Sequence, residues 1–398
     1  MTDPWTLFAE RADRSECAGY FERAAGHAGS RGRAVWFDDG ERLPAVTPRS
    51  GLAAVRRSVN THLARGRGAT AMGYLGFDAV GLVEPALRRY PDGAPFPLGE
   101  FVLAGHPRTA DLGPRRSSPR LASLPSPGTP ASDTVPRARF CRSVDRLRDA
   151  IRSGEAFQVV LAHRRAWRRP ADLIERAGRL RAAERYAYFY YLRVGDREIV
   201  GASPESVVEV EGDIARVNPI AGTLPRTSPA GRLPLPQDPK ELSEHRMLVD
   251  LARNDLGRVA RPGSVRVLWK ERRVRYAQLE HLVSRVGARL KPGLGPWDAL
   301  AATFPAGTVS GAPKIRATEL LRREEGTWRG PYGGSVGLLE TGGRADWALT
   351  IRSAFAAGPR LFTAAGAGIV HASDGDREFD ESLTKLEQLE SCLLGGGA

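Results

Sequence analysis

Between residues 157 and 222 the sequence leaves little choice of local structure. FQVVLAHR, YAYFYYLRV, REIVGAS, SVVEVEG and IARVNPIAG follow one another, and Gly-Asp at 195–196 and 212–213 marks tight turns. Connections this short join antiparallel strands, because a parallel pair needs a crossover of a dozen residues or more. Three further runs, YGGSVGLLE, ADWALTIRSAF and RLFTAAGAGIV, occupy 332–370. Helical patterns lie between and around them. FCRSVDRLRDAIRSG places Val144, Leu147 and Ile151 on one face and stops at Gly154. Asp238, Pro239 and Glu241 form a start signal for a helix through HRMLVDLARND. SGAPKIRATELL predicts another, with Ser310 ahead of the apolar run, and a last helix begins near Ser373. The expected fold is α+β, with large antiparallel sheets packed as a sandwich and helices on the outside.

Three segments are expected: a smaller N-terminal lobe at 1–105, a flexible Pro/Ser/Arg-rich connection at 106–136, and a catalytic region at 137–398. No run of about 18 apolar residues is present, so no membrane span is expected, and the N-terminus carries no secretory core. Three widely spaced cysteines suit a reduced, cytoplasmic protein. The net charge of +13 points on its face to nucleic acid. However, only five of the 59 basic residues are lysines, and the arginines form no tight block. A non-catalytic basic nucleic-acid binder is therefore the remote alternative, and no nucleic-acid partner is expected.

Two glutamate pairs, Glu241/Glu244 and Glu378/Glu381, carry more chemical information. At i, i+3 spacing on a helix each pair shares one face. Continuing the first pair by helical steps reaches Leu248 and Leu251, so two acids extend an apolar stripe. A hard divalent cation would give them a reason to converge, and a solvated surface pair is the plainer alternative. GASPE aims Glu205 off the end of a strand, where burial would make its carboxyl a general acid. FPAGTVSGAPK and AAGAG at 364–368 are small-residue stretches that let backbone N–H groups approach an anion, and Lys314 adds charge near the first. ALTIRSAF places Thr350 and Arg352 on one face of a strand, with Arg352 suited to a carboxylate. His281, between apolar neighbours, reads equally as a core residue. Each of these motifs alone is also compatible with an ordinary turn or a half-buried side chain.

As a series, GEAFQVVLAHR, GASPE, NPIAGTLPR, DPKELSEHRMLVDLARNDLGRV, EHLVSRV, FPAGTVSGAPKIRATELL, RGPYGGSVG, IRSAF and AGAGIVHASDGDREFDESLTK resemble the chorismate-utilising enzymes over about 137–390. That family includes anthranilate synthase component I, aminodeoxychorismate synthase component I, isochorismate synthase and salicylate synthase. The resemblance implies the chorismate-binding fold and Mg²⁺ as cofactor. It makes Glu244 and Glu381 direct metal ligands, with Glu241 and Glu378 acting through water, and it has the metal hold the ring carboxylate of chorismate. Arg352 and Tyr332 would bind the enolpyruvyl carboxylate, helped by backbone N–H groups of Gly366, Ala367 and Gly368, while Lys385 and Thr308 line the pocket. Glu205 matches the acid that assists loss of the C4 hydroxyl, and His281 a histidine tied to the leaving group and the later elimination.

Two positions choose among members of this family. Gln158 stands where isochorismate and salicylate synthases resemble one another in carrying a lysine, which implies ammonia rather than water as nucleophile. Ala221 stands where many aminodeoxychorismate synthases carry a lysine, which implies attack at C2. The expected activity is amination of chorismate to 2-amino-2-deoxyisochorismate and on to anthranilate plus pyruvate. Aminodeoxychorismate synthase component I, acting at C4, is the alternative. The chain lacks an LLES-like segment near its start and reads AAERYAYFYYL rather than NPSPYMFYL, so the resemblance does not extend to the tryptophan feedback site. No cysteine sits in a glutaminase signature, so ammonia is expected from a separate glutamine amidotransferase subunit.

Overall fold

A computed structural model of the chain describes residues 3–25, 32–66, 68–113, 127–128, 130–133, 135–183, 186–225, 239–276 and 279–395, with the backbone alone at 221–225, 239–241, 275–276 and 279–280. These residues form two ten-stranded sheets in which every pairing is antiparallel. The first sheet runs Gly311–Ala312, Gln158–Arg168, Arg360–Ile369, Ser353–Ala357, Arg197–Ser203, Tyr188–Val194, Cys17–Arg23, Gly32–Phe37, Arg108–Leu112. The second runs Ile220–Pro225, Leu279–Arg289, Ile214–Val217, Ser206–Glu211, Arg344–Leu349, Ser335–Glu340, Thr70–Leu75, Gly99–Ala104, Glu41–Arg42, with Arg266–Tyr276 also beside Leu279–Arg289.

The predicted meander is present, and its aromatic run shows how the layers form. Strand residues alternate between faces, so Tyr188 and Tyr190 enter the core between the sheets while Phe189 and Tyr191 enter the core under the outer helices. Both faces are covered, which is why YFYYLRV has almost no polar alternation. On one outer side pack helices Pro4–Ala12, Leu173–Ala183 and Gly375–Leu394; on the other, Ala53–Arg65, Pro239–Gly257 and Pro296–Thr303. The expected sandwich with helices outside is the observed arrangement. Helix Arg137–Arg152 buries Phe140, Val144 and Leu147 at i, i+4, i+7 and is followed by Gly154 at φ +83°. Asp374 caps the last helix by accepting from the Arg377 N–H at 3.1 Å.

Residues 1–105 supply strands to both sheets, side by side with strands from beyond 137: Cys17–Arg23 pairs with Tyr188–Val194, and Thr70–Leu75 with Ser335–Glu340. Of the 106–136 connection, Arg108–Leu112 and Ser132–Asp133 each pair with a strand, and the middle, 114–126, lies outside the described residues. The cap at Asp238 lies outside them as well.

Two local expectations are corrected. The helix read as starting after Ser310 runs from Lys314 to Glu325. Pro313 disfavours helical backbone at Ala312, and Gly311–Ala312 instead form a short strand against Gln158 and Val159. Thr350 and Arg352 do not share a strand face: one strand ends at Leu349 in the second sheet and the next begins at Ser353 in the first.

Many arginines are spent on buried carboxylates. Glu22, Glu100, Glu198 and Glu390 are each at most 1% exposed and are bridged by Arg181, Arg197, Arg193 and Arg165 at 2.7–2.8 Å. No described helix is long and apolar enough to cross a membrane.

Candidate active site

The chain crosses from one sheet to the other twice at neighbouring points. Arg197–Ser203 of the first sheet continues through Pro204 and Glu205 into Ser206–Glu211 of the second. Arg344–Leu349 of the second continues through 350–352 into Ser353–Ala357 of the first. The crossovers are tied together, with the Leu349 N–H donating to the Glu205 carbonyl at 3.0 Å and the Ala202 N–H to the Arg352 carbonyl at 3.1 Å. Arg352 has φ +49°, a left-handed conformation that costs a non-glycine residue on the order of 1 kcal/mol. The paired strands on either side hold it there.

A cavity of about 260 Å³ opens at this junction, and its walls include Glu205, Arg352, Gln158, Glu244, His281 and Lys385. Thr308, Tyr332, Gly366 and Gly368 also line it, so ten of the predicted residues meet in one space.

Glu205 is 7% exposed, and burial pushes its carboxyl up to about 8, so it is largely protonated at neutral pH. Thr308 Oγ1 donates to Glu205 Oε1 at 2.8 Å. Thr308 sits in the short helical turn Gly307–Ser310, which is fastened from behind. Arg329 donates from Nη1 to the Val309 carbonyl at 2.6 Å and from Nη2 to the Val160 carbonyl at 2.7 Å, and it pairs with Glu325 at 2.6 Å. One buried arginine thus locks this turn to the strand carrying Gln158. Thr350 is likewise structural: its hydroxyl donates to the Pro331 carbonyl and holds the loop bearing Tyr332.

The AAGAG stretch lies on a central strand, paired with Gln158–Arg168. Its glycines are required by close approach. A Cβ at Gly366 would sit 2.9 Å from the Tyr332 hydroxyl, and one at Gly368 would sit 2.6 Å from Gln158 Nε2. Lys385 Nζ donates to the Gly366 carbonyl at 2.9 Å and pairs with Glu381 Oε1 at 2.7 Å, one turn back on the same helix.

Of the four glutamates, Glu244 lines the cavity. Glu381 is more than half exposed and held at its rim by Lys385, Glu378 is half-buried, and the Glu241 side chain lies outside the described residues, as does that of Ala221. Among the described residues no three His, Cys, Asp or Glu side chains are clustered as a preformed metal cage. Ala367 is fully buried and packs away from the cavity among Phe140, Leu161 and Ile369. Lys314 does not line the cavity: it is 8% exposed and donates to Asp255 at 2.7 Å and to the Thr303 carbonyl at 3.1 Å.

Sequence reasoning did not single out the apolar wall residues Val160, Pro204, Ile220, Val309 and Ile351, although they lie within the motifs quoted above, because an apolar side chain there reads as core. It also missed His245, which packs its helix against strand Leu279–Arg289 through Nε2 and Ser284 Oγ, 2.6 Å apart. Burial pushes this histidine down to about 4, so it stays neutral beside Glu244.

A family model described as chorismate binding enzyme matches residues 15–391. The chain belongs to the chorismate-binding enzyme family. Within that family it is 44% identical over 270 residues to anthranilate synthase component 1 of Methanothermobacter thermautotrophicus, covering 65% of this chain and 57% of the relative. It is 38% identical over 311 residues to a 2-amino-4-deoxychorismate synthase of Streptomyces globisporus, covering 74% and 63%. The crystal structure of anthranilate synthase component I from Streptococcus pneumoniae superposes with a TM-score of 0.74 at 30% identity, covering 95% of this chain and 92% of that one. The chain spans about half to three-fifths of the length of the first curated relatives it matches.

Proposed function

We propose that the chain is a Mg²⁺-dependent, ammonia-using enzyme that aminates chorismate at C2. The product is 2-amino-2-deoxyisochorismate, carried on to anthranilate and pyruvate where elimination follows. The observation that carries this reading is the buried Glu205 carboxyl, held protonated up to about pH 8, in a cavity shared with Arg352 and the uncharged Gln158. A neutral carboxyl supplies the proton that a departing C4 hydroxyl needs, and Arg352 supplies the charge that orients a carboxylate. Gln158 puts a neutral amide, rather than an amine that could activate water, at its point of the cavity wall, which favours ammonia.

Attack at C2 is supported by the relatives named anthranilate synthase component 1 and by the Streptomyces globisporus relative, whose name puts nitrogen at position 2 and removes oxygen at position 4. "Component 1" also supports a second component, and a separate glutamine amidotransferase subunit is the proposed ammonia source. None of the three cysteines is in a disulfide, in keeping with a cytoplasmic setting.

The donor set fits the proposed metal. Carboxylate oxygens are what a hard divalent cation takes, Glu244 faces the cavity, and Lys385 bridges Glu381 to the cavity wall at Gly366. Glu244 and Glu381 would hold Mg²⁺, backed by Glu241 and Glu378, and Glu381 would exchange its contact with Lys385 for the ion. When bound, Mg²⁺ neutralises and orients the ring carboxylate. His281 also lines the cavity and is the residue assigned here to the elimination step.

Incubation with chorismate, Mg²⁺ and ammonium, with products read by mass spectrometry and NMR, tests the reading. A 2-amino product or anthranilate is expected; a 4-amino product, or nitrogen-free isochorismate, overturns it. Glu244→Gln is expected to remove Mg²⁺-dependent turnover with the thermal unfolding of the apoprotein unchanged.

A further inference from the structure

Glu205 lines a second, smaller space behind the site. This cavity, of about 30 Å³, is lined by Glu205, Thr308, Asp255, Thr303, Leu251 and Ala252 among others. That volume admits one or two water molecules, and the polar side chains give them partners. Asp255 lies on helix Pro239–Gly257 and forms the 2.7 Å pair with Lys314, whose second hydrogen bond goes to the Thr303 carbonyl. Both members are nearly buried, yet neither touches the larger cavity. Glu205 therefore lines both cavities, and Asp255 of the buried ion pair lines the smaller one with it, the side called the rear below.

We propose that the Lys314–Asp255 pair, through water in this small cavity, returns a proton to Glu205 after each turnover, Asp255 acting as a positioning and relay group rather than as a substrate contact. The inference rests on the amination reading above. In that reaction the C2–N bond forms, both ring double bonds shift, and the C4–O bond breaks with its electron pair. The departing oxygen takes the Glu205 proton and leaves as water, the nitrogen stays on C2 as an ammonium group, and Glu205 is left as a carboxylate. The missing proton is the one that ammonium in solution gave up to become ammonia, so chorismate plus ammonium balances aminated product plus water. It cannot return through the front while product still fills the larger cavity. At the rear, burial raises the Asp255 carboxyl and lowers the Lys314 ammonium, which makes a shared proton easy to pass on; Arg258 and Glu84 are the other charges acting on the pair.

The test uses the full chain with chorismate, Mg²⁺ and saturating ammonium, reading kcat, KM and the solvent deuterium isotope effect. In Asp255→Asn, kcat is expected to fall at least about tenfold with KM for chorismate unchanged and the isotope effect increased, and Asp255→Glu is expected to recover most of the rate. Ala252→Val, which fills the small cavity and leaves the ion pair intact, is expected to do the same as Asp255→Asn, and decides alone if Asp255→Asn does not fold. Unchanged kcat and isotope effect in either folded variant, or a KM change without an isotope effect, overturns the proposal. If the unaltered protein forms no aminated product, the amination reading has failed instead, and that is seen before any variant is compared.

Discussion

Thr308 Oγ1 donates to Glu205 Oε1 at 2.8 Å, and it is the one hydrogen bond that opposes burial in setting this carboxyl at about 8. The bond is worth more to the carboxylate than to the acid. Removing it with Thr308→Val raises the Glu205 pKa further. In the unaltered protein kcat is expected to fall as pH rises through about 8, where the acid loses its proton. In Thr308→Val this limb moves to higher pH, while kcat on the plateau drops because the carboxyl is no longer aimed. A pH–rate profile of the two proteins checks both statements, and a limb that stays put contradicts them.

The same carboxyl makes stability depend on pH. Unfolded, Glu205 loses its proton near the ordinary glutamate value of 4.5; folded, it keeps it to about 8. Between those values the folded state holds the extra proton, so the contribution of Glu205 is fully present below about 4.5 and is lost as pH rises to about 8. Glu205→Gln removes the cost of a buried anion. It is expected to be more thermostable than the unaltered protein above pH 8, by several degrees, and inactive at every pH. Thermal denaturation at pH 6 and pH 9 gives the comparison.

Gly368→Ala is expected to cut turnover at least about tenfold with little loss of stability. The methyl would lie 2.6 Å from Gln158 Nε2, the free end of a side chain, so Gln158 moves and the fold does not. Gly366→Ala presses on the Tyr332 hydroxyl at 2.9 Å and is expected to raise KM for chorismate. Steady-state kinetics alongside circular dichroism separates the two effects from misfolding.

Arg329→Met leaves Glu325 buried without its partner. Breaking a buried pair by removing one member costs about 3–5 kcal/mol, and here it also frees the Val309 and Val160 carbonyls. A marked fall in the denaturation midpoint is expected. The double variant Glu325→Leu/Arg329→Met is expected to regain part of it, which a chemical denaturation series measures.

The strand meander, the helix at 137–152 and the meeting of distant motifs in one space were legible in the sequence, because period-two runs, Gly-Asp turns and apolar helical spacing are local signals. The change of sheet at 350–352 was not. ALTIRSAF reads as one continuous run, since both sheets bury both faces and leave no polar alternation to interrupt, so nothing in the pattern marks where Thr350 leaves one and Ser353 joins the other. Lys314 was misplaced for a related reason. Its neighbours are the small residues of the site loop, but its partner Asp255 is 59 residues away in the chain, a distance at which spacing says nothing. The burial that sets the Glu205 pKa comes from packing, and GASPE shows only that the side chain points off a strand end.

The two bonded crossovers fasten Glu205 and Arg352 to both halves of the sandwich at once. A site built on surface loops can be rebuilt by replacing a loop; this one is a seam in the framework, and lengthening either crossover would split the sheets. New chemistry on such a scaffold has to arrive by exchanging single side chains that project into a fixed chamber, as Gln158 does over Gly368. The framework would then be inherited whole, and the reaction chosen one residue at a time.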